Sequence, residues 1–305
     1  RTRAFELFLA ALEREAPVRA LVQELPADDL QGITRASERI RRRMAESPLP
    51  AELAGELSAA LTVLQAGDAQ APLAVRSSAT TEDAEDASFA GLQDTSLWVK
   101  GAKAVATSLI DCWSSLYSVP SISYRRRRNL PEAGVAMAVV IQRMVDARAA
   151  GVMFTRSPTT GDRSVVVIEG AWGLGSAVVS GEVTPDRFVV GKVTGEISVR
   201  EIRDKHQRHV PAPQGGVLEQ ETPAELREAP CLSDEDIQRL REMARRIERH
   251  YGRPQDIEWA LDQQGGLRIL QSRPETVWAA RDAAPVAEVR DNPLHHVMSV
   301  FGGRR

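Results

Sequence analysis

The chain of 305 residues has two cysteines, Cys112 and Cys231. That is too few for a disulfide framework or a four-ligand zinc site, and it fits a reducing compartment, so a cytoplasmic location is expected. Charge of one sign is also missing. Lys and Arg number 39 against 42 Asp and Glu, a formal net charge of −3. A dedicated nucleic-acid or anionic-membrane binder normally carries a basic surplus, so neither partner is expected. No apolar run reaches membrane length; the longest, 134–141, is the length of a strand. No positively charged, then apolar, leader is seen, and no repeat of 20–50 residues. The chain starts at Arg1, not Met, so an N-terminal segment is expected to be missing.

What remains is an ordinary globular composition, 43% hydrophobic and 27% charged. At roughly 100–200 residues per domain, the length predicts two domains or one large domain of two lobes.

Residues 1 to 69 carry helical periodicity, as in Phe5-Phe8-Leu9-Leu12 and Ile33-Ile40-Met44. The arginine-rich stretch 39–43 is read as a solvated helix face. Leu73-Ala74-Val75 reads as a short buried strand running into Arg76-Ser77-Ser78, and 79–95 as a long ordered loop. A helix is expected over 102–117, stopping near Pro120. Strands are expected at 135–141, 151–155, 165–168, 187–190 and 196–199, with 211–231 a junction loop. Ser233 caps a strongly amphipathic helix that Gly252 ends, and the strands 257–261 and 267–270 pair across Gly265-Gly266.

Four clusters carry chemistry. Arg76-Ser77-Ser78 ends a buried strand, where a guanidinium needs an anion: phosphate oxygens, or a structural pair with Glu82 or Asp83. Around Gly91, small residues allow a backbone to approach a ligand, and Thr95 offers a hydroxyl, although for the stretch taken alone a plain loop is the favoured reading. The run Glu169-Gly170-Ala171-Trp172-Gly173-Leu174-Gly175 loosely resembles a dinucleotide fingerprint but lacks the βαβ context. Finally, Glu258 and Gln271 would meet if their strands pair, with Arg273 beside them. A carboxylate and an amide oxygen are hard ligands of the kind Mg²⁺ takes with nucleotide phosphates; a solvated polar pair is the alternative.

Together these residues resemble the ATP-binding domain of the phosphoenolpyruvate synthase and pyruvate phosphate dikinase family, which also contains rifampicin phosphotransferase and phenylphosphate synthase. The matching stretches are Ala74-Val75-Arg76-Ser77-Ser78-Ala79, Glu82-Asp83, Ala87-Ser88-Phe89-Ala90-Gly91, Val140-Ile141-Gln142-Arg143-Met144, Gly151-Val152-Met153-Phe154-Thr155, Asp256-Ile257-Glu258-Trp259 and Leu270-Gln271-Ser272-Arg273-Pro274. The resemblance implies an α+β, ATP-grasp fold of two lobes with the nucleotide in the cleft between them. The first lobe would span 1–148 and the second 149–279, with a tail at 280–305. Carried over by motif, Arg76 and Arg273 would bind phosphates as the catalytic cations, with Gly91 and Thr95 in the loop above them. Gln142 and Lys205 would contact ATP, and Glu258 and Gln271 would hold Mg²⁺.

Members of the family split ATP to AMP and pass the β-phosphoryl group to a histidine on a swivelling domain, which phosphorylates the acceptor. Two departures stand out. The family's Gly-Gly-Lys segment is absent before Arg1, and no Thr-Ser-His or Gly-x-x-Ser-His segment surrounds His206, His209, His250, His295 or His296. An ATP-dependent phosphotransferase of the dikinase type is therefore expected, incomplete without a phosphohistidine-carrying domain or subunit. Phenol is the acceptor favoured, by likeness to the two-polypeptide phenylphosphate synthase and because 280–305 reads as a natural ending. A domain cut from a single-chain phosphoenolpyruvate synthase or rifampicin phosphotransferase is the alternative, and a non-catalytic ATP-sensing module is an alternative of another class.

Overall fold

The computed structural model describes residues 1–14, 17–79, 83–84, 87–88, 95–275 and 278. The chain divides into two units, Arg1–Asp146 with His209–Gln220, and Ala147–Arg208 with Glu221–Arg305. The first break thus falls after Asp146, where 148 was expected, and 209–220 groups with the first unit. The expected tail at 280–305 lies outside the described residues.

The first unit opens with α1 (Thr2–Glu13), α2 (Val18–Gln23), α3 (Leu30–Glu46) and α4 (Ala51–Gln65). Their three- and four-residue spacing buries Phe5, Phe8, Leu9 and Leu12 on α1, and Ile33, Ala36, Ile40 and Met44 on α3. Arg39, Arg41 and Arg42 are left on the exposed face of α3. The helix starts where the Asp29 carboxylate accepts the Gly32 N–H at 2.8 Å.

After α4 come β1 (Leu73–Ala79), the short pair β2 (Asp83–Ala84) and β3 (Ala87–Ser88), and then β4 (Thr95–Val99). Helices α5 (Ala102–Ser115) and α6 (Val119–Arg127) lead to β5 (Met137–Arg143). An antiparallel sheet forms in the order β4-β1-β5. Its Leu73, Val75, Val99 and Met137 join the core built around Phe5, Phe8 and Trp113, where the Phe8 and Trp113 ring centroids lie 5.1 Å apart.

Sequence periodicity ended the helical stretch near Pro120, but α6 begins there. The Ser118 hydroxyl accepts the Ser121 N–H, and proline in the first turn removes only an N–H that has no helical partner. Arg125, on the buried face of α6, is 1% exposed. It donates to both Glu132 oxygens at 2.9 and 3.2 Å, to the Leu116 carbonyl at 2.7 Å and to the Ser121 hydroxyl at 2.8 Å. A guanidinium is tolerated inside the core only with partners of this kind.

The second unit begins with β6 (Ala147–Phe154), β7 (Val165–Trp172), the single turn α7 (Ser176–Val179), β8 (Asp186–Gly191) and β9 (Ile197–Glu201). The chain then makes a ribbon of β10 (Gln207–Pro211) and β11 (Val217–Glu221), the second of them inside the stretch 211–231 read as a loop. Within the first unit, Gly216 N–H donates to the Trp98 carbonyl at 3.1 Å and Lys100 Nζ to the Pro213 carbonyl at 3.2 Å. The turn α8 (Ala224–Arg227), the long helix α9 (Asp234–Tyr251), β12 (Gln255–Asp262) and β13 (Leu267–Pro274) complete the second unit. The six strands pair antiparallel in the order β13-β12-β6-β7-β8-β9.

Helix α9 starts with a capping box between Ser233 and Asp236 and ends on Gly252 in the left-handed conformation. Its Ile237, Leu240 and Ala244 pack on one sheet face, against Met153, Ile168, Phe188, Ile257, Trp259 and Leu261. Strand β7 runs further than its apolar stretch, through Glu169 to Trp172, because two glycines let the strands and the Trp259 ring close up. A Cβ at Gly151 would collide with the Glu169 carbonyl, and one at Gly170 would lie 2.9 Å from the Trp259 ring. Among the described residues, no helix is long and apolar enough to cross a membrane.

Candidate functional site

In the first unit, the three-stranded sheet turns Leu73 and Val75 to the core. Side chains alternate along a strand, so Ala74, Arg76 and Ser78 lie on the other face. Arg76 is opposed by Thr95 on β4 and by Val140 on β5, while Gln142 is opposed by Ala74. Directly and diagonally opposed side chains on one face are in reach of each other. Arg76, Thr95 and Gln142 therefore form one polar group on the face away from the helical core. Arg76 and Gln142 are half-buried and Thr95 is exposed. Gly91 lies outside the described residues, as does most of the loop around it.

In the second unit, α9 covers one face of the large sheet. One rung of the opposite face crosses all six strands, as Gln271, Glu258, Val152, Glu169, Arg187 and Glu201 in register. The next rung reads Arg273, Asp256, Phe154, Val167, Val189 and Val199. One corner of the face thus gathers Glu258, Gln271, Asp256 and Arg273, and Arg273 Nε donates to the Asp256 carboxylate at 2.8 Å. Glu258 and Gln271, directly opposed residues that are both half-buried, carry oxygens of the kind Mg²⁺ prefers. A guanidinium held next to them suits phosphate oxygens.

The strand that carries Gln271 and Arg273 is anchored from behind. Ser272, between them, donates its hydroxyl to the buried Gln255 side-chain oxygen at 2.9 Å. Gln255 N–H in turn donates to the Thr155 hydroxyl at 2.8 Å, and Thr155 N–H donates back to the Gln255 carbonyl. These buried polar groups fix the end of β12 against β6.

Lys205 occupies a different place. It is fully buried, with Nζ 2.6 Å from Asp186 Oδ1 and 2.8 Å from the Arg203 carbonyl. Asp186, equally buried, also accepts the N–H groups of Arg203 and Cys231. Burial, and then the Asp186 carboxylate, push the Cys231 thiol well above its ordinary pKa. A cavity of about 490 Å³ opens beside this cluster, lined by Asp204, Glu225, Arg227 and Glu228 among others. None of the residues expected to bind ATP lines it.

Glu169 belongs to the same rung, although its glycine-rich run was read only as a loose dinucleotide fingerprint and gave it no place beside Glu258. Burial pushes its carboxyl above the usual carboxylate range, against the pull of Arg187, whose Nε lies 3.9 Å away. The available signal was its position as the one charged residue within Val165–Trp172.

Comparison with known proteins identifies the family. The family described as pyruvate phosphate dikinase, AMP/ATP-binding domain, matches residues 1–293. A rifampicin phosphotransferase of Streptomyces sviceus is 42% identical over 273 residues, covering 90% of this chain and 30% of that protein. A probable phosphoenolpyruvate synthase of Methanocaldococcus jannaschii is 40% identical over 261 residues, 85% of this chain and 22% of its own. The phosphoenolpyruvate synthase of Pyrococcus furiosus is 39% identical over 278 residues, 88% and 34%. The chain spans well under half the length of each of these relatives.

Proposed function

Because the chain belongs to the pyruvate phosphate dikinase AMP/ATP-binding domain family, we propose that it binds Mg·ATP and releases AMP while passing the β-phosphoryl group to a histidine on another domain or subunit. The observation that carries this reading is the direct opposition of Glu258 and Gln271, with the Asp256–Arg273 pair one rung away. Two oxygen ligands and a cation on one open corner are what a metal-bound polyphosphate needs. Arg76, Thr95 and Gln142 share the open face of the first unit's sheet, and by resemblance each would contact ATP.

Bound Mg²⁺ would neutralise phosphate charge, with Glu258 and Gln271 as its protein ligands. Arg273, held by Asp256, and Arg76 would bind and orient phosphate oxygens. Phosphoryl transfer asks the protein mainly for positioning and charge stabilisation, which this donor set supplies. Lys205, committed to Asp186, would act through the fold around that pair. The final acceptor belongs to the second half of the reaction. Phenol is the acceptor expected by resemblance, whereas the relatives above are named for phosphoenolpyruvate and rifampicin.

The test is AMP formation from Mg·ATP by the chain mixed with a histidine-bearing domain from such a relative, followed by mass spectrometry of that domain for phosphohistidine. AMP together with a phosphorylated histidine is expected. Tight ATP binding without AMP under these conditions would leave an ATP-sensing module as the function.

A further inference from the structure

We propose that Glu169 is the sugar-recognising residue of the nucleotide site, its carboxylate accepting hydrogen bonds from the two vicinal hydroxyls of a ribose. The inference rests on the reading of Glu258 and Gln271 as the phosphate and metal end of that site.

The geometry lies within one sheet. Glu169 shares the rung of Glu258 and Gln271, and only Val152 on β6 stands between Glu169 and Glu258. Two strand spacings of about 4.8 Å separate the two carboxylate residues, roughly 10 Å along the sheet. Val152 and its same-face neighbour Phe154 are half-buried apolar side chains. They make a surface suited to the carbon skeleton of a nucleoside and offer Glu169 no hydrogen-bond donor.

Glu169 is short of donors. Its side chain is 28% exposed, and Arg187 Nε at 3.9 Å from Oε1 is within ion-pair range but beyond hydrogen-bond range. Among the described residues, no hydrogen bond reaches the carboxylate. Burial already raises its pKa, so a ligand that donates to the charged form would relieve a destabilised group.

The chemistry of the ligand selects the contact. A nucleoside triphosphate bound by its phosphates at Glu258 repels a carboxylate along its whole anionic end. Its donors are the ribose hydroxyls and the polar hydrogens of the base. The hydroxyls are nearer the phosphates, and they form a vicinal pair that matches the two oxygens of a carboxylate. Arg187, next along the rung, faces Glu169 from the far side and is shared with Glu201, 3.6 Å from its Nη1.

The experiment uses calorimetric titration of the 305-residue chain with Mg·ATP, Mg·2′,3′-dideoxy-ATP and Mg·tripolyphosphate, in wild type, Glu169→Ala, Glu169→Gln and Glu258→Gln. Wild type is expected to prefer ATP to the dideoxy analogue by about tenfold or more, the scale of hydrogen bonds to a charged group. Glu169→Ala should lower ATP affinity to the dideoxy level and leave dideoxy-ATP and tripolyphosphate unchanged. The isosteric Glu169→Gln should narrow the same ratio and guards against misfolding of the alanine variant, with circular dichroism melts for both. A wild-type ratio near one, or a wild-type ratio retained in both Glu169 variants, overturns the proposal. Glu258→Gln separates the two readings: if it leaves all three affinities unchanged, the metal assignment fails, whereas the ATP-to-dideoxy ratio reports on Glu169 by itself.

Discussion

Arg76 and Thr95 stand directly opposite each other on neighbouring antiparallel strands, although a long stretch of chain separates them in sequence. Their pairing puts a guanidinium and a hydroxyl side by side on the face turned away from the helical core. Gln142 lies diagonally across from Arg76 on the other neighbouring strand.

If this face contacts ATP phosphates, Arg76→Ala weakens Mg·ATP binding by at least about 2 kcal/mol, the scale of a charge-assisted hydrogen bond. Titration of the folded variant measures it. Unchanged affinity would take Arg76 out of the site.

The metal corner predicts a different response. Glu258→Ala, with Gln271→Ala as its companion, should abolish turnover or leave it unresponsive to Mg²⁺ while the thermal melt stays close to wild type. A normal Mg²⁺ titration curve in both variants would put the metal elsewhere.

Close strand approach makes Gly151 sensitive. A Cβ there meets the Glu169 carbonyl on β7. Because backbone yields less than a side-chain tip, Gly151→Ala should destabilise the second unit by at least about 2 kcal/mol. A melting temperature equal to wild type would mean that β6 and β7 can separate without loss.

Acid sensitivity is expected at the start of α9. Burial pushes Asp236 up, but hydrogen bonds from the Ser233 hydroxyl and N–H and from Arg148 pull it further down, below the usual aspartate value. A depressed carboxylate contributes stability above its unfolded pKa and loses it as pH falls through the folded one. The melting-temperature gap between wild type and Asp236→Asn should therefore be full at neutral pH and close below about pH 4. A gap that stays constant down to pH 2 would refute this.

Legibility in the sequence followed the range of the contacts. Glu258 and Gln271 were foreseen as neighbours because β12 and β13 form a hairpin across Gly265-Gly266, so their register depends on a few adjacent residues. The α9 helix was legible from Ser233 to Gly252 for the same reason, since its cap, stripe and stop are all local. Pro120 misled because the same residue that ends one helix can start another. The place of Glu169 beside Glu258 was not legible, because their rung exists only through the pairing of β12 with β6 and β6 with β7, which no local pattern announces. Nothing local announced the burial of Lys205 against Asp186, because the two meet only when the second unit folds.

By itself, the order of residues determined the helical start, the alternation that makes each strand two-faced, the cap of α9 and the kinds of donor set out along the chain. Those features depend on backbone geometry and on side chains a few positions apart. Which polar residues share a face was decided only by tertiary structure. Strand order and register depend on burying Trp259, Ile257 and Phe188 under α9, and on glycines narrow enough to let β6 and β7 meet. Once that core closes, the alternation of the pleat leaves Glu258, Gln271 and Glu169 together on the opposite side.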